Sequence, residues 1–344
     1  MRLLIFGIGM SAIAGTVLSL SNPASDSLSQ TAVDAQSTVA ARAPNAVLPL
    51  RQELSQLKTS VEAIANESPE LIPAVFVFDL DTGAYLDING DTAIAAASTI
   101  KVPILVAFFQ AVDEGKIRLN ETLTMEEEHI AEGSGQMQYA EPGTEYTALE
   151  TARQTIVASD NTATNMLIDR LGGIEVLNQK FQTWGLHATA LRNPLPDLEG
   201  TNTTTPKDMA KLLAMVSQGE LISLRSRDRL LDIMQATWND DLLPQGLGEG
   251  AKIAHKTGNL GSVLADVGLI DLPNGKRYIA TVLIERPHND QRAYDAIRRI
   301  SRAAYETFER PAGAPPSAVV DARPDPYRRG ESDTSLRDTL RERP

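Results

Sequence analysis

The sequence predicts an α+β fold in which an antiparallel sheet of about five strands is flanked by helices and an all-helical subdomain is inserted in the chain. Three observations carry this. Apolar residues at helical spacing open the ordered region. Runs of β-branched and aromatic residues stand near both of its ends. A long stretch of helical pattern separates those runs, so the two ends of the chain must pair to complete one sheet.

Each element has its own signal. Leu50, Leu54, Leu57, Val61 and Ile64 recur three and four residues apart, which predicts an amphipathic helix. Residues 74–80 alternate Val and Phe, Asp81-Thr82-Gly83 supplies a turn, and residues 84–88 return, so this segment is a hairpin. From about residue 98 to 231 helical patterns dominate, broken at Gly133-Ser134-Gly135, Pro142-Gly143 and Gly172-Gly173. Strands return at 252–256, 267–271 and 278–285, with Pro273-Asn274-Gly275 as the last turn, and residues 291–308 form a closing amphipathic helix. A cleft between the sheet layer and the helical insert is the expected place for a site.

Composition limits the partners. The 344 residues carry a formal charge of −13, which argues against nucleic acid and anionic membrane surfaces. With no cysteine there is no disulfide, no thiolate-bound metal and no lipoprotein anchor. Arg2 precedes an apolar run over 3–20, followed by small residues with a cleavage point near Ala24. Residues 1–24 therefore read as a signal peptide or an uncleaved signal anchor, and the protein as exported, periplasmic or membrane-anchored. Residues 25–47 read as a flexible linker, 48–310 as the catalytic domain and 311–344 as a Pro- and Arg-rich disordered tail.

Three short motifs carry chemistry. In Ser98-Thr99-Ile100-Lys101 the spacing of three puts Ser98 and Lys101 on one helical face, where Lys101 reaches the Ser98 hydroxyl directly. A buried lysine near another cation loses proton affinity, so a neutral amine serves as base. Pro103 disturbs the first turns of this helix because it lacks an amide donor. Ser55 and Lys58 show the same spacing, but on a helix segment expected to face solvent. In Ser159-Asp160-Asn161 the first and last residues cannot share a helical face, so the motif suits a loop or helix entry, with Asn161 or Thr162 capping a helix from Ala163. Here Ser159 passes a proton to the leaving nitrogen, Asn161 holds Lys101 and the substrate amide, and Asp160 buttresses the loop. In Lys256-Thr257-Gly258 a strand end offers a cation for a substrate carboxylate and a bare backbone at Gly258. The amides of Ser98 and Asn259 make a two-donor oxyanion hole. There is no G-x-S-x-G elbow, no paired-histidine metal spacing among His129, His187, His255 and His288, and no nucleotide fingerprint; no metal or cofactor is expected.

The three motifs, in this order, resemble those of class A β-lactamases in the penicillin-recognising superfamily. The neighbouring stretches Ser98-Thr-Ile-Lys-Val-Pro, Ser159-Asp-Asn-Thr-Ala-Thr-Asn and Thr203-Thr-Thr-Pro206 fit as well. The resemblance implies a β-lactamase-like fold and a monomeric serine hydrolase that opens β-lactam rings through an acyl-Ser98 intermediate and confers antibiotic resistance. It gives a substrate-binding role to Thr257. The alternatives are a D-Ala-D-Ala carboxypeptidase, or a penicillin-binding module that remains acylated. The sequence departs from the family in the Ω-like loop, Arg192-Asn-Pro-Leu-Pro-Asp-Leu-Glu-Gly-Thr-Asn202, where class A enzymes carry Glu-x-x-Leu-Asn and use the glutamate to activate the deacylating water. Aligned on Pro196-Asp197-Leu198, the glutamate position holds Leu195 and Glu199 falls where the family has asparagine, so Glu199 is either a relocated base or a solvated loop carboxylate; Asp197 is the weaker candidate. The strand after Lys256-Thr257-Gly258 also lacks the usual arginine, leaving Arg286 or Arg292 as substitutes.

Overall fold

The computed structural model describes residues 48–310; the leader, the linker and the tail lie outside the described residues. The chain runs β1 (Gln52–Glu53), α1 (Ser55–Asn66), β2 (Ile72–Asp79), β3 (Ala84–Ile88) and β4 (Ile94–Ala95), then a 3₁₀ turn (Ala97–Ile100) leading directly into α2 (Lys101–Asp113). The helical layer continues with β5 (Thr122–Thr124), β6 (Glu145–Thr147), α3 (Ala148–Val157), α4 (Asn161–Arg170), α5 (Ile174–Thr183), β7 (Thr203–Thr204), α6 (Pro206–Gln218), α7 (Leu224–Gln235) and α8 (Leu243–Gly246). The sheet is completed by β8 (Lys252–Leu260), β9 (Val263–Asp271) and β10 (Arg277–Glu285), and α9 (Arg292–Glu309) closes the domain.

The main sheet has the order β1-β3-β2-β10-β9-β8. Its seam is the antiparallel pairing of β2 with β10, from Asp79 opposite Tyr278 to Ile72 opposite Glu285, which joins the two ends of the described chain. Central strands buried on both faces need apolar side chains throughout, which is why β2, β9 and β10 read as near-continuous hydrophobic runs. Even residues of the β8 start and odd residues of β9 (Ala254, Ala265, Val267) pack toward α2 and the helical layer. Their alternates (Ile253, Leu264, Ile270) pack toward α1 and α9. β8 is an edge strand that borders the helical layer.

Helix α2 lies inside the helical layer. Residues 101–109 are all buried, as an almost entirely apolar run requires. Pro103 sits in its first turn, where the missing amide donor has no intrahelical partner to lose. Helix α9 shows the opposite pattern: Ala293, Ile297, Ile300, Ala304 and Phe308 form one buried stripe, and the Phe308 ring stacks on Tyr278 with centroids 4.5 Å apart.

Three expectations need correction. The sheet has six strands, because the two residues of β1 pair in parallel with β3. For the same reason the opening helix starts at Ser55 and excludes Leu50: Arg51 N–H donates to Gly83 O and Leu54 N–H to Tyr85 O, which draws this segment along the sheet edge. The inserted layer is not wholly helical, since β4–β7 and β5–β6 form two short ribbons. The second Ser-x-x-Lys does face outward on α1, with Lys58 paired to Glu53 at 2.6 Å.

Truncating Phe308 to Ala should cost about 3–5 kcal/mol, the usual range for a buried aromatic. Urea unfolding measures it. A loss below about 1 kcal/mol would mean the end of α9 contributes little to the core.

Candidate active site

Ser98 lies in the 3₁₀ turn rather than in regular α-helix, and its side chain is half-buried. The turn is entered through Ala97, whose φ of 46° lies in the left-handed region that non-glycine residues rarely adopt. Ala96 N–H donates to Asn202 O at 2.7 Å, and Thr99 is pinned through Oγ1 to Ala96 O at 2.6 Å. The backbone around the nucleophile is therefore fixed on both sides.

Lys101 is fully buried, and its amine does not bond Ser98 as the spacing predicts. It contacts Ser159 O at 2.6 Å, Asn161 Oδ1 at 2.8 Å and Ser159 Oγ at 3.2 Å. The carbonyl and amide oxygens of the neighbouring loop draw the long side chain away from its own turn. Ser159 has a φ of 53°, the second left-handed non-glycine residue at the site. Asp160, not Asn161 or Thr162, caps α4: its Oδ1 accepts from Ala163 N–H at 2.9 Å. Its Oδ2 accepts from Met137 N–H at 2.9 Å, so it also braces the facing loop. A side chain at Gly135 would collide with Asp160 at 2.1 Å, which explains the glycine there. Asn161 links that loop to the lysine, because its Nδ2 donates to Glu132 O at 2.9 Å.

Strand β8 passes against the nucleophile turn. A Cβ placed on Gly258 would lie 3.2 Å from the Ser98 amide nitrogen and 3.0 Å from Ala97 Cβ, so the bare backbone allows this approach. Lys256 is fully buried, and its ammonium donates to Thr257 O at 2.8 Å. Thr257 is buried beside it. The side chain of Asn259 turns outward, accepting from Arg286 Nη2 at 2.6 Å and donating to Tyr294 Oη at 3.0 Å. Arg286 is thus committed to Asn259, Leu260 O and Asp290 O, while Arg292 pairs with Asp290 and Glu70 at the surface. Both arginines thus have protein partners, although Arg286 Nε is buried and unpaired among the described residues.

The Ω-like loop is tied down from α4. Asn165 Oδ1 accepts from Leu195 N–H at 2.9 Å and its Nδ2 donates to Leu195 O at 2.7 Å, holding the Leu195 side chain inward. Asp197 is buried and accepts from Thr201 Oγ1 at 2.8 Å and Asn202 N–H at 2.6 Å, so it braces the loop. Glu199 is exposed and makes no side-chain hydrogen bond among the described residues. Its neighbour Gly200 packs near Ala95 and Leu260, which places this part of the loop beside β4, just ahead of the Ser98 turn, and the end of β8 that carries Gly258.

The electrostatics follow from burial. Desolvation and then the charge of Lys256 hold the Lys101 amine well below its ordinary value, with Asp160 opposing. Desolvation brings Lys256 down to about 7, with Asp266 opposing. Sequence reasoning gave Asn165 no role, although it closes the Ser159–Asn165 stretch and its place four residues after Asn161 puts both on one face of α4. It also did not find the buried His255–Asp266 pair, which only the β8–β9 register reveals.

A sheet-and-helix fold with Ser98, Lys101, Ser159 and Lys256 around one cleft defines a serine hydrolase of the class A β-lactamase type. The chain belongs to the beta-lactamase enzyme family, whose model matches residues 56–308. Among solved structures it is similar to PBP-A, at 52% identity and a TM-score of 0.75, over 76% of this chain and 99% of that one. A leucine-to-glutamate variant of PBP-A has been solved as an acyl-enzyme complex with penicillin G. It is also similar to an ancestral class A β-lactamase, at 29% identity and a TM-score of 0.69, over 74% of this chain and 100% of that one. A further relative is β-lactamase BRO-1 of Moraxella catarrhalis, 27% identical over 61% of this chain and 69% of that protein.

Replacing Asn165 by Ala should strand the buried amide and carbonyl of Leu195, costing on the order of 2–6 kcal/mol at about 1–3 kcal/mol per unsatisfied group. Thermal unfolding should report the loss, and limited proteolysis should report faster cutting within residues 192–202. Unchanged cutting would show that Asn165 does not hold the loop.

Proposed function

We propose that the protein opens β-lactam rings by acylation of Ser98 and releases the product slowly. The observation that supports this most is the contact of buried Lys101 with Ser159 and Asn161 beside the Ser98 turn. Ser159 O and Asn161 Oδ1 accept only, so a neutral Lys101 amine donates to both and keeps a lone pair. The contact of Lys101 Nζ with Ser159 Oγ, at 3.2 Å, is the longest of the three.

In this reading Ser98 Oγ attacks the lactam carbonyl while the neutral Lys101 amine takes its proton. The amides of Ser98 and Asn259 hold the oxyanion. The C–N bond breaks, Ser159 gives its proton to the leaving nitrogen, and Lys101 restores that proton to Ser159. Asn161 holds the substrate amide, and Lys256, with Thr257 beside it, binds the substrate carboxylate. Gly258 leaves room for the substrate backbone. Release needs a water and a base. Leu195 places an aliphatic side chain where class A enzymes carry the glutamate, which supports slow deacylation, with Glu199 at the loop rim as the remaining base. The same position favours a second reading, a penicillin-binding module that stays acylated. A D-Ala-D-Ala peptide would enter by the same acylation steps. The enzyme acts as a monomer outside the cytoplasmic membrane, delivered by the apolar segment at residues 3–20.

Intact mass spectrometry after a pulse of penicillin G tests this. Wild type should gain one penicillin mass and keep it for many turnover times of an ordinary class A enzyme, and Ser98→Ala should gain none. Leu195→Glu should shorten the adduct lifetime and Glu199→Gln should lengthen it. An unmodified wild type would contradict acylation, and a Glu199→Gln lifetime equal to wild type would remove Glu199 from the mechanism.

The acylation rate should also be bell-shaped in pH. Lys101 must be neutral, so the rate rises as pH passes its lowered value. Lys256 must be charged to bind the carboxylate, so the rate for free enzyme falls as pH rises through about 7. A rate that still climbs steadily to pH 10 would contradict the assignment to Lys256.

A further inference from the structure

Lys256 has no carboxylate partner in the cleft. Its one hydrogen-bond acceptor is the carbonyl of Thr257, and among the described residues no acid forms an ion pair with it or with Lys101. A buried ammonium without a counter-charge gives up its proton. The titratable groups around the two lysines are few: Asp160 at the cap of α4, His255 on β8 and Asp266 on β9. Asp160 acts on Lys101.

Asp266 lies on the other side of the sheet. It is the register partner of Thr257, the residue whose carbonyl receives the Lys256 ammonium. Side chains alternate along a strand, so Asp266 shares the α9 face with Leu264 and with His255, while Lys256 shares the cleft face with Ala254. The carboxylate is wholly buried. Its Oδ1 and Oδ2 accept from His255 Nδ1 at 2.9 and 3.1 Å, and Oδ2 accepts from Leu243 N–H at 3.0 Å. The strand is held on its other side too, since Thr237 Oγ1 donates to His255 O at 2.8 Å.

We propose that Asp266 is a positioning residue for the cleft: from behind the sheet its carboxylate keeps Lys256 charged for an anionic substrate, and its bonds to His255 and Leu243 hold β8 in place. The two groups sit on adjacent strands with side chains on opposite faces, and both are fully buried, so little water screens them. The direction of the Asp266 effect on Lys256, toward keeping the proton, agrees with this geometry. His255 orients the carboxylate without supplying the charge. The inference rests on Ser98 acylation by penicillins.

The test is the second-order rate of penicillin G adduct formation from pH 5 to 10 in wild type, Asp266→Asn and His255→Gln, with Asp266→Ser as a smaller replacement should the asparagine variant fail to fold. Removing the charge should move the alkaline limb down by about one pH unit, the lower end of the effect of a nearby opposite charge. Acylation should then fall about ninefold at pH 8 but only about twofold at pH 6. His255→Gln, which leaves the carboxylate in place, should lower stability and keep the limb where wild type has it. A limb unmoved in both Asp266 variants overturns the inference while leaving Ser98 acylation intact. A limb moved as far by His255→Gln also overturns it, because the pair would then act only as a clamp. Wild type that forms no adduct at any pH overturns both readings.

Discussion

Two buried lysines without a counter-charge resist being charged together in the unliganded site, and the rest of the site is arranged around that constraint. Lys101 and Lys256 are fully buried and have no ion-pair partner among the described residues. Bringing Lys256 from 10.5 to about 7 is an unfavourable transfer on the order of 5 kcal/mol, at about 1.4 kcal/mol per pH unit. Lys101 bears the burial and the field of Lys256 as well. A neutral amine next to a nucleophile is the outcome, and it needs no histidine. The cost is carried by a core that surrounds α2 on all sides and by the sheet seam between β2 and β10.

The backbone carries its own strain in the same place. Ala97 and Ser159 both have left-handed φ values although neither is glycine, and they flank the nucleophile turn and the proton-carrier loop. Such conformations persist only where neighbours over-determine them. Asn202 O fixes Ala96 on one side, and the Asp160 bonds to Met137 and Ala163 fix the other. Gly258 completes the arrangement by allowing β8 to close on Ser98. Precision here comes from backbone contacts between segments far apart in the sequence.

That distance explains what could be read from the sequence and what could not. The frame of hairpin, helical insert and three final strands was legible because period-two and helical patterns are local. The short β1 strand was not, since its two residues pair only because Gly83 and Tyr85 receive the chain. Ser98, Lys101, Ser159 and Lys256 were legible as motifs, yet the direction of Lys101 was not: its partners lie 58 and 60 residues away. The loop departure at Leu195 was visible directly. The Asn165 clamp that turns Leu195 inward, and the commitment of Arg286 to Asn259, required the folded register. His255 and Asp266, eleven residues apart, meet only because β8 and β9 are paired.

The most direct measurement is the titration of individual lysine side chains by nitrogen-detected NMR in unliganded wild type. The account predicts that Lys101 titrates well below 10.5, ahead of every surface lysine. A Lys101 amine that remains protonated until pH 10 would contradict it, because no neutral base would then stand beside Ser98 while Lys256 is charged.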